Sequence, residues 1–132
     1  MRKGFSLIEM LIALSIMALL GTLVIPNIRK VQTRSYQITS EINLKTFQSS
    51  LENYYVDNNT YPVGQMSSAD LFMVLKTSEH LNSSPINPYY KNVYSNSDVK
   101  GKITYFSTNG DDYSLVLYAS DGQTVQLTLN KI

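Results

Sequence analysis

Glu9 is the residue in this chain whose type and position most require a chemical reason. It lies inside FSLIEMLIALSIMALLGTLVI, Phe5 to Ile25, an apolar run about as long as the 20 residues a helix needs to cross a bilayer. A carboxylate at the bilayer centre costs on the order of 3 kcal/mol on insertion scales, so an acid there implies a function and a partner. The remaining reactive groups offer less. A nucleophilic triad or zinc site needs partners at recognisable spacing, and His80, the single histidine, has none and reads as a loop histidine. Asn109, Asp111, Asp112 and Asp121 are hard oxygen donors of the kind calcium takes. They match no spaced calcium motif and fall in Asn-Gly and Asp-Gly segments, where turns use the same residues, so the turn reading is favoured. Asn58-Asn59-Thr60 and Asn82-Ser83-Ser84 match glycosylation sequons of the sort Asn-rich loops contain, and there is no Gly-rich phosphate loop. No catalytic residue, metal site or cofactor is expected, and no enzyme.

Composition narrows the classes further. Eleven Lys and Arg stand against ten Asp and Glu, so no basic field for gripping nucleic acid is present. The absence of cysteine excludes a disulfide framework and thiolate metal sites. Ten tyrosines read as amphipathic contact surface, apolar at one end and wet at the other.

The elements that must position Glu9 follow from periodicity. Arg2 and Lys3 before an apolar run suggest a secretory signal. The run is longer than the usual 7–15 residues, however, and no small-residue cleavage site precedes Pro26, which favours a retained membrane helix. Arg2 and Lys3 on one side balance Arg29, Lys30 and Arg34 on the other, so charge leaves the orientation tied. Beyond Pro26, Ile28, Val31, Ile38, Ile42, Leu44, Phe47, Leu51, Tyr54 and Tyr55 recur at helical steps among polar residues, which predicts an amphipathic helix. One element from about Ser6 to Val56 is expected, its first half for lipid and its second for a domain. Pro26 cannot donate to the carbonyl of Thr22, and with Gly21 nearby a kink or helix break is predicted there.

DNNTYPVG (57 to 64) ends the helix. Ser67 to Asp70 reads S-x-x-D, opening a short helix that ends near Thr77, and residues 78 to 101 read as a surface connection. ITYFS (103 to 107), YSLVLYA (113 to 119) and TVQLTLN (124 to 130), separated by Asn-Gly and Asp-Gly turns, predict a three-stranded antiparallel meander. Period two gathers Tyr113, Leu115, Leu117 and Ala119 with Val125, Leu127 and Leu129 on one apolar face. Such a face needs a cover, and the stripe from Ile38 through Tyr55 is available. The fold class is therefore α+β: a long N-terminal helix, transmembrane then amphipathic, packed on a small antiparallel sheet.

The opening residues Lys3-Gly4-Phe5-Ser6-Leu7-Ile8-Glu9 resemble the class III signal of type IV prepilins and pseudopilins. LENYYVDNNTYP (51 to 62) resembles the helix-to-loop segment of pilins and major pseudopilins, and INPYY (86 to 90) resembles their loops more weakly. The resemblance implies residues 1–4 as a leader, 5–26 as a transmembrane and assembly helix, and 27–132 as a globular pilin head. It implies cleavage after Gly4 by a prepilin peptidase, N-methylation of Phe5, and pairing of Glu9 with the N-terminal amine of Phe5 on a neighbouring subunit. Each charge would then offset the other's desolvation. The alternative is a pair within one chain, since Phe5 and Glu9 are one turn apart. Two features common in the family, a C-terminal cysteine pair and an acidic calcium loop, are missing.

The implied function is a structural subunit of a type IV pilus-like helical filament, with a major pseudopilin of type II secretion as the alternative. Its partners would be further copies, the prepilin peptidase and the inner-membrane assembly machinery. It would sit as a single-pass protein in the inner membrane before assembly and in an extracellular or periplasmic filament afterwards. A rival from another class, a membrane-anchored binding module, would need neither Gly4 before Phe5 nor an acid at Glu9. Electron transport along Tyr36, Phe47, Tyr54 and Tyr55 is a further variant, but packing already explains their helical spacing.

Overall fold

A computed structural model describes residues 4–132. Two compact units divide at Ser35 and Tyr36, and helix α1 (Leu7–Asn58) supplies residues to both. Among the described residues of the first unit, α1 is the one regular element. The predicted break at Gly21 and Pro26 is not seen in this chain, where α1 is helical across both residues. Pro26 leaves the Thr22 carbonyl without its usual helical donor, and beside it the Thr22 hydroxyl and the Asn27 amide donate to the carbonyls of Leu19 and Leu23.

The second unit, the head, runs from Tyr36 to Ile132. Its share of α1 ends where Asn59 adopts φ 54° and donates its N–H to the Tyr55 carbonyl at 2.8 Å, a left-handed cap that asparagine tolerates. Strand β1 (Gly64–Ser67) leads directly into helix α2 (Ser68–Thr77). Ser67 is the α2 N-cap, its hydroxyl accepting the Asp70 N–H at 3.1 Å, as the S-x-x-D spacing predicted. The other end of α2 closes with Glu79 at φ 61°, whose N–H reaches Lys76 while that of His80 reaches Leu75. This is a Schellman cap with glutamate where glycine is usual.

Short strands β2 (Ile86–Asn87) and β3 (Asn92–Val93) pair with each other, followed by β4 (Ile103–Ser107), β5 (Ser114–Tyr118) and β6 (Val125–Asn130). The main sheet has four strands in the order β1-β4-β5-β6, all neighbours antiparallel. The predicted meander is present as β4-β5-β6. The fourth strand, β1, comes from a segment that Pro62 and Gly64 marked as loop. Residues 78–101 are likewise more than a surface connection. Asn87 is fully buried, its amide donating to Asp98 and to the Lys100 carbonyl while its oxygen accepts from Tyr89 N–H. One side chain thus satisfies backbone groups that regular structure would otherwise pair.

The core gathers Leu44, Phe47 and Leu51 of α1, Leu71 and Leu75 of α2, Ile103, Tyr105, Leu115 and Leu117 of the sheet, with Tyr61, Tyr94 and Tyr113. Three expected members lie elsewhere. The buried stripe of α1 is Ser40, Asn43, Leu44, Phe47, Ser50 and Leu51, and this phase turns Ile38 and Ile42 outward. Val125 is exposed because the β5–β6 register shifts between Leu117 and Tyr118. The shift pairs Val125 with Tyr118, and a one-residue shift sends a side chain to the opposite face.

Candidate functional site

The first turn of α1 brings Glu9 to the backbone that precedes it. The Ser6 N–H donates to Glu9 Oε2 at 2.8 Å, and the N–H groups of Glu9 and Met10 donate to the Ser6 carbonyl at 3.0 and 3.3 Å. This is the acid's half of a capping box, and the positive end of the helix dipole favours a carboxylate there. The partner was legible as Ser6-Leu7-Ile8-Glu9, the same S-x-x-acid spacing that marked α2, but the sequence reading looked only to the amine of Phe5. Gly4 and Phe5 precede the helix, and a Cβ on Gly4 would meet nothing within 4 Å.

Every large apolar side chain from Phe5 to Val31 is at least 51% exposed, and α1 is long and apolar enough to cross a membrane. Polar side chains in this stretch bond back to their own helix: Ser15 to Leu11 and Thr22 to Leu19 at 2.8 and 2.7 Å. They therefore add little cost in lipid. Glu9 is left as the sole formal charge between Leu7 and Ile25. Gly21 has open space where a Cβ would stand, so no contact within this chain requires glycine there.

The acidic residues flagged as possible metal donors serve turns. Asn109 Oδ1 accepts the Asp111 N–H at 3.1 Å, and Asp121 Oδ1 accepts those of Gln123 and Thr124 at 2.9 Å. Bonds to the Thr124 hydroxyl and these amides hold the Asp121 carboxyl down at about 2. Gly110 between them is obligatory, since its φ is 82° and a Cβ would come within 3.1 Å of the Tyr61 carbonyl oxygen.

Two polar clusters in the head escaped the sequence reading. Glu52 accepts the hydroxyls of Tyr61 and Tyr113 at 2.8 and 2.7 Å. Burial first, then that carboxylate, pushes both phenols well above the usual tyrosine range, so they stay protonated donors and cannot act as bases. Tyr55 stacks on Tyr61 with centroids 4.6 Å apart, and Lys131 Nζ lies 4.8 Å from the Tyr55 centroid. His80, read as a loop residue, pairs with Asp57 at 2.9 Å and packs on Tyr54, tying the end of α2 to the end of α1. Both clusters fasten elements together, and neither presents a nucleophile beside a base.

A helix apolar along its first half, with an acid in its first turn, continuing onto a small antiparallel sheet is a pilin-like α+β arrangement. Residues 1–25 match the family model described as the prokaryotic N-terminal methylation motif. The chain is similar to the type IV major pilin protein PilA of Myxococcus xanthus, 34% identical over 59 residues that cover 45% of this chain and 27% of that protein. It is similar to the type IV wide pilus major component PilA4 of Thermus thermophilus, 35% identical over 69 residues covering 52% of this chain and 53% of the relative. Type II secretion system core protein G of Pectobacterium carotovorum is 30% identical over 61 residues, 46% of this chain and 39% of the relative. The chain thus spans about a quarter to about half the length of these relatives. No solved structure matches it. Motif and relatives together match the type IV pilin and pseudopilin family, and the motif with its apolar helix fits anchoring in the inner membrane before assembly.

Proposed function

We propose that this chain is a structural subunit of a type IV pilus-like filament, not an enzyme. A prepilin peptidase removes the leader between Gly4 and Phe5, Phe5 is N-methylated, and the subunit polymerises through the apolar half of α1 into a filament outside the inner membrane. The observation that carries this reading is the methylation motif at residues 1–25 on a helix whose apolar side chains find no cover within the chain. Lipid covers them before assembly and neighbouring helices afterwards. In the filament Glu9 exchanges the Ser6 N–H for the amine of a neighbouring Phe5, and the helix opens between Ala18 and Pro26, where glycine and proline weaken the ladder. On this reading the domain boundaries fall at residues 4 and 26.

Intact-mass analysis of sheared filaments tests the processing. The expected species begins at Phe5 and carries one added methyl group, and a retained Met1–Gly4 leader in assembled material would overturn the model. Likeness to secretion core protein G supports a neighbouring reading, a pseudopilin of type II secretion. Deleting the chain separates the two: loss of surface filaments supports the pilus, and loss of exported proteins supports the pseudopilin.

A further inference from the structure

The head carries exposed apolar patches toward the two ends of its share of α1, and the charges around them are opposite in sign. The first patch is the cross-strand pair Ile86 and Val93 with Tyr90 and Val99, all exposed. Asn43 holds it to α1 by donating to the Ile86 carbonyl at 2.8 Å. Lys91 sits in the β2–β3 turn at φ 55°, and the Lys100 N–H bonds the Tyr90 hydroxyl, so two exposed lysine residues adjoin the patch along the chain. The acid of this region, Asp98, is turned inward onto Asn87 and the Ser95 N–H.

The second patch is exposed Val56 and Val63. Asp57 follows Val56, and the Gly110 turn that meets Val63 carries Asp111 and Asp112. Here the minority charge is engaged at the surface, with Lys131 Nζ donating to the Asp111 carbonyl at 2.9 Å and lying over Tyr55. Asn43 and Asp57 are about 21 Å apart along α1 at about 1.5 Å per residue. Among the described residues no Lys or Arg has a carboxylate within 4.0 Å, the one ion pair being His80 with Asp57.

We propose that the two patches meet between copies of this chain, the Lys91/Lys100-rimmed patch of one head seating on the Asp57/Asp111/Asp112-rimmed patch of the next. The proposal rests on the filament reading above and names a contact within it. A patch facing its own copy would bring like charge onto like, so the contact that charge favours joins the unlike patches of two copies. A heterologous contact joins unlike ends and propagates as an open array. Complementary rims fix orientation and register while the apolar centres exclude water. Each patch is only a few side chains, so the contact is weak singly and gains its effect by repetition along the polymer.

The absence of native cysteine allows a direct test in full-length, processed protein. Val93→Cys and Val63→Cys placed together should give a disulfide-linked ladder in sheared filaments on oxidation, and neither single variant should. Lys91→Glu with Lys100→Glu should lower filament yield at least tenfold, and adding Asp111→Lys with Asp112→Lys should restore at least half of it. Filaments of the double-cysteine variant that form but lack the ladder, unchanged yield on charge reversal, or a loss that the compensating reversal leaves in place would each overturn this contact. Failure of the wild-type chain to form any filament would instead remove the filament reading, and the contact with it.

Discussion

Helix α1 begins in surroundings opposite to those in which it ends. From Leu7 to Val31 its large apolar side chains are exposed, and its polar ones bond only to their own helix. From Ser40 to Leu51 one stripe is buried against the sheet and α2. The later half stabilises a fold, whereas the earlier half leaves its apolar surface exposed. A change in the head should therefore register in its unfolding. A change in the first unit should leave head unfolding untouched and register in membrane or filament.

Alkaline pH should separate the two regions most sharply. Tyr61, Tyr105 and Tyr113 are held above the ordinary value of 10, by burial first in each case, with Tyr105 pushed up to about 12. Folded tyrosines keep their protons while unfolded ones release them near pH 10. The stabilisation is thus complete below pH 10 and lost as pH rises through the folded values. The expected slope is up to about 1.4 kcal/mol per pH unit for each tyrosine. Denaturant titrations in detergent between pH 8 and 12 should show head stability flat to near 10 and then falling steeply, with the membrane half still helical by circular dichroism. A flat profile to pH 12 would break the assignment.

Truncating the core comes next. Phe47→Ala should cost the head about 3–5 kcal/mol, because Phe47 is fully buried against Tyr94. Leu11→Ala, on an uncovered face, should leave head unfolding unchanged. Equal losses from both would erase the distinction between the two halves. Smaller still is Ser67→Ala, which removes the α2 cap and should cost about 1 kcal/mol. Glu79→Gly should stabilise by roughly 0.5–1 kcal/mol, since glycine takes φ 61° without strain. Both are readable as midpoint shifts in the same titration.

The parts of this division legible in the sequence were those written by local chemistry. The Asn-Gly and Asp-Gly turns announced β4-β5-β6, S-x-x-D announced the start of α2, and the unbroken apolar run announced the uncovered half of α1. What escaped depended on distant partners. Ile38 and Ile42 fit a helical period as well as Leu44 and Phe47 do. Only the tertiary core, assembled from α2, the sheet and the loops, decides which phase is buried. Val125 obeyed the alternation, and the register shift opposite Leu117 and Tyr118 overrode it. Glu52 looked like one more solvated charge until the chain brought Tyr61 and Tyr113 to it. Ser6 was local and still missed, because pairing with the Phe5 amine already accounted for Glu9.

On the proposed reading the first half of α1 serves contacts between copies, with Glu9 as its charged element. Glu9→Leu tests it most directly, scored as sheared filament yield beside wild type after leader removal and head folding are confirmed. Membrane insertion should be unchanged or improved, because a charge leaves an apolar segment, and the head should unfold at its wild-type midpoint. Filaments should be lost, since breaking one side of a buried pair costs roughly 3–5 kcal/mol. Wild-type yield from Glu9→Leu alone would contradict the account and leave Glu9 as no more than the cap on Ser6.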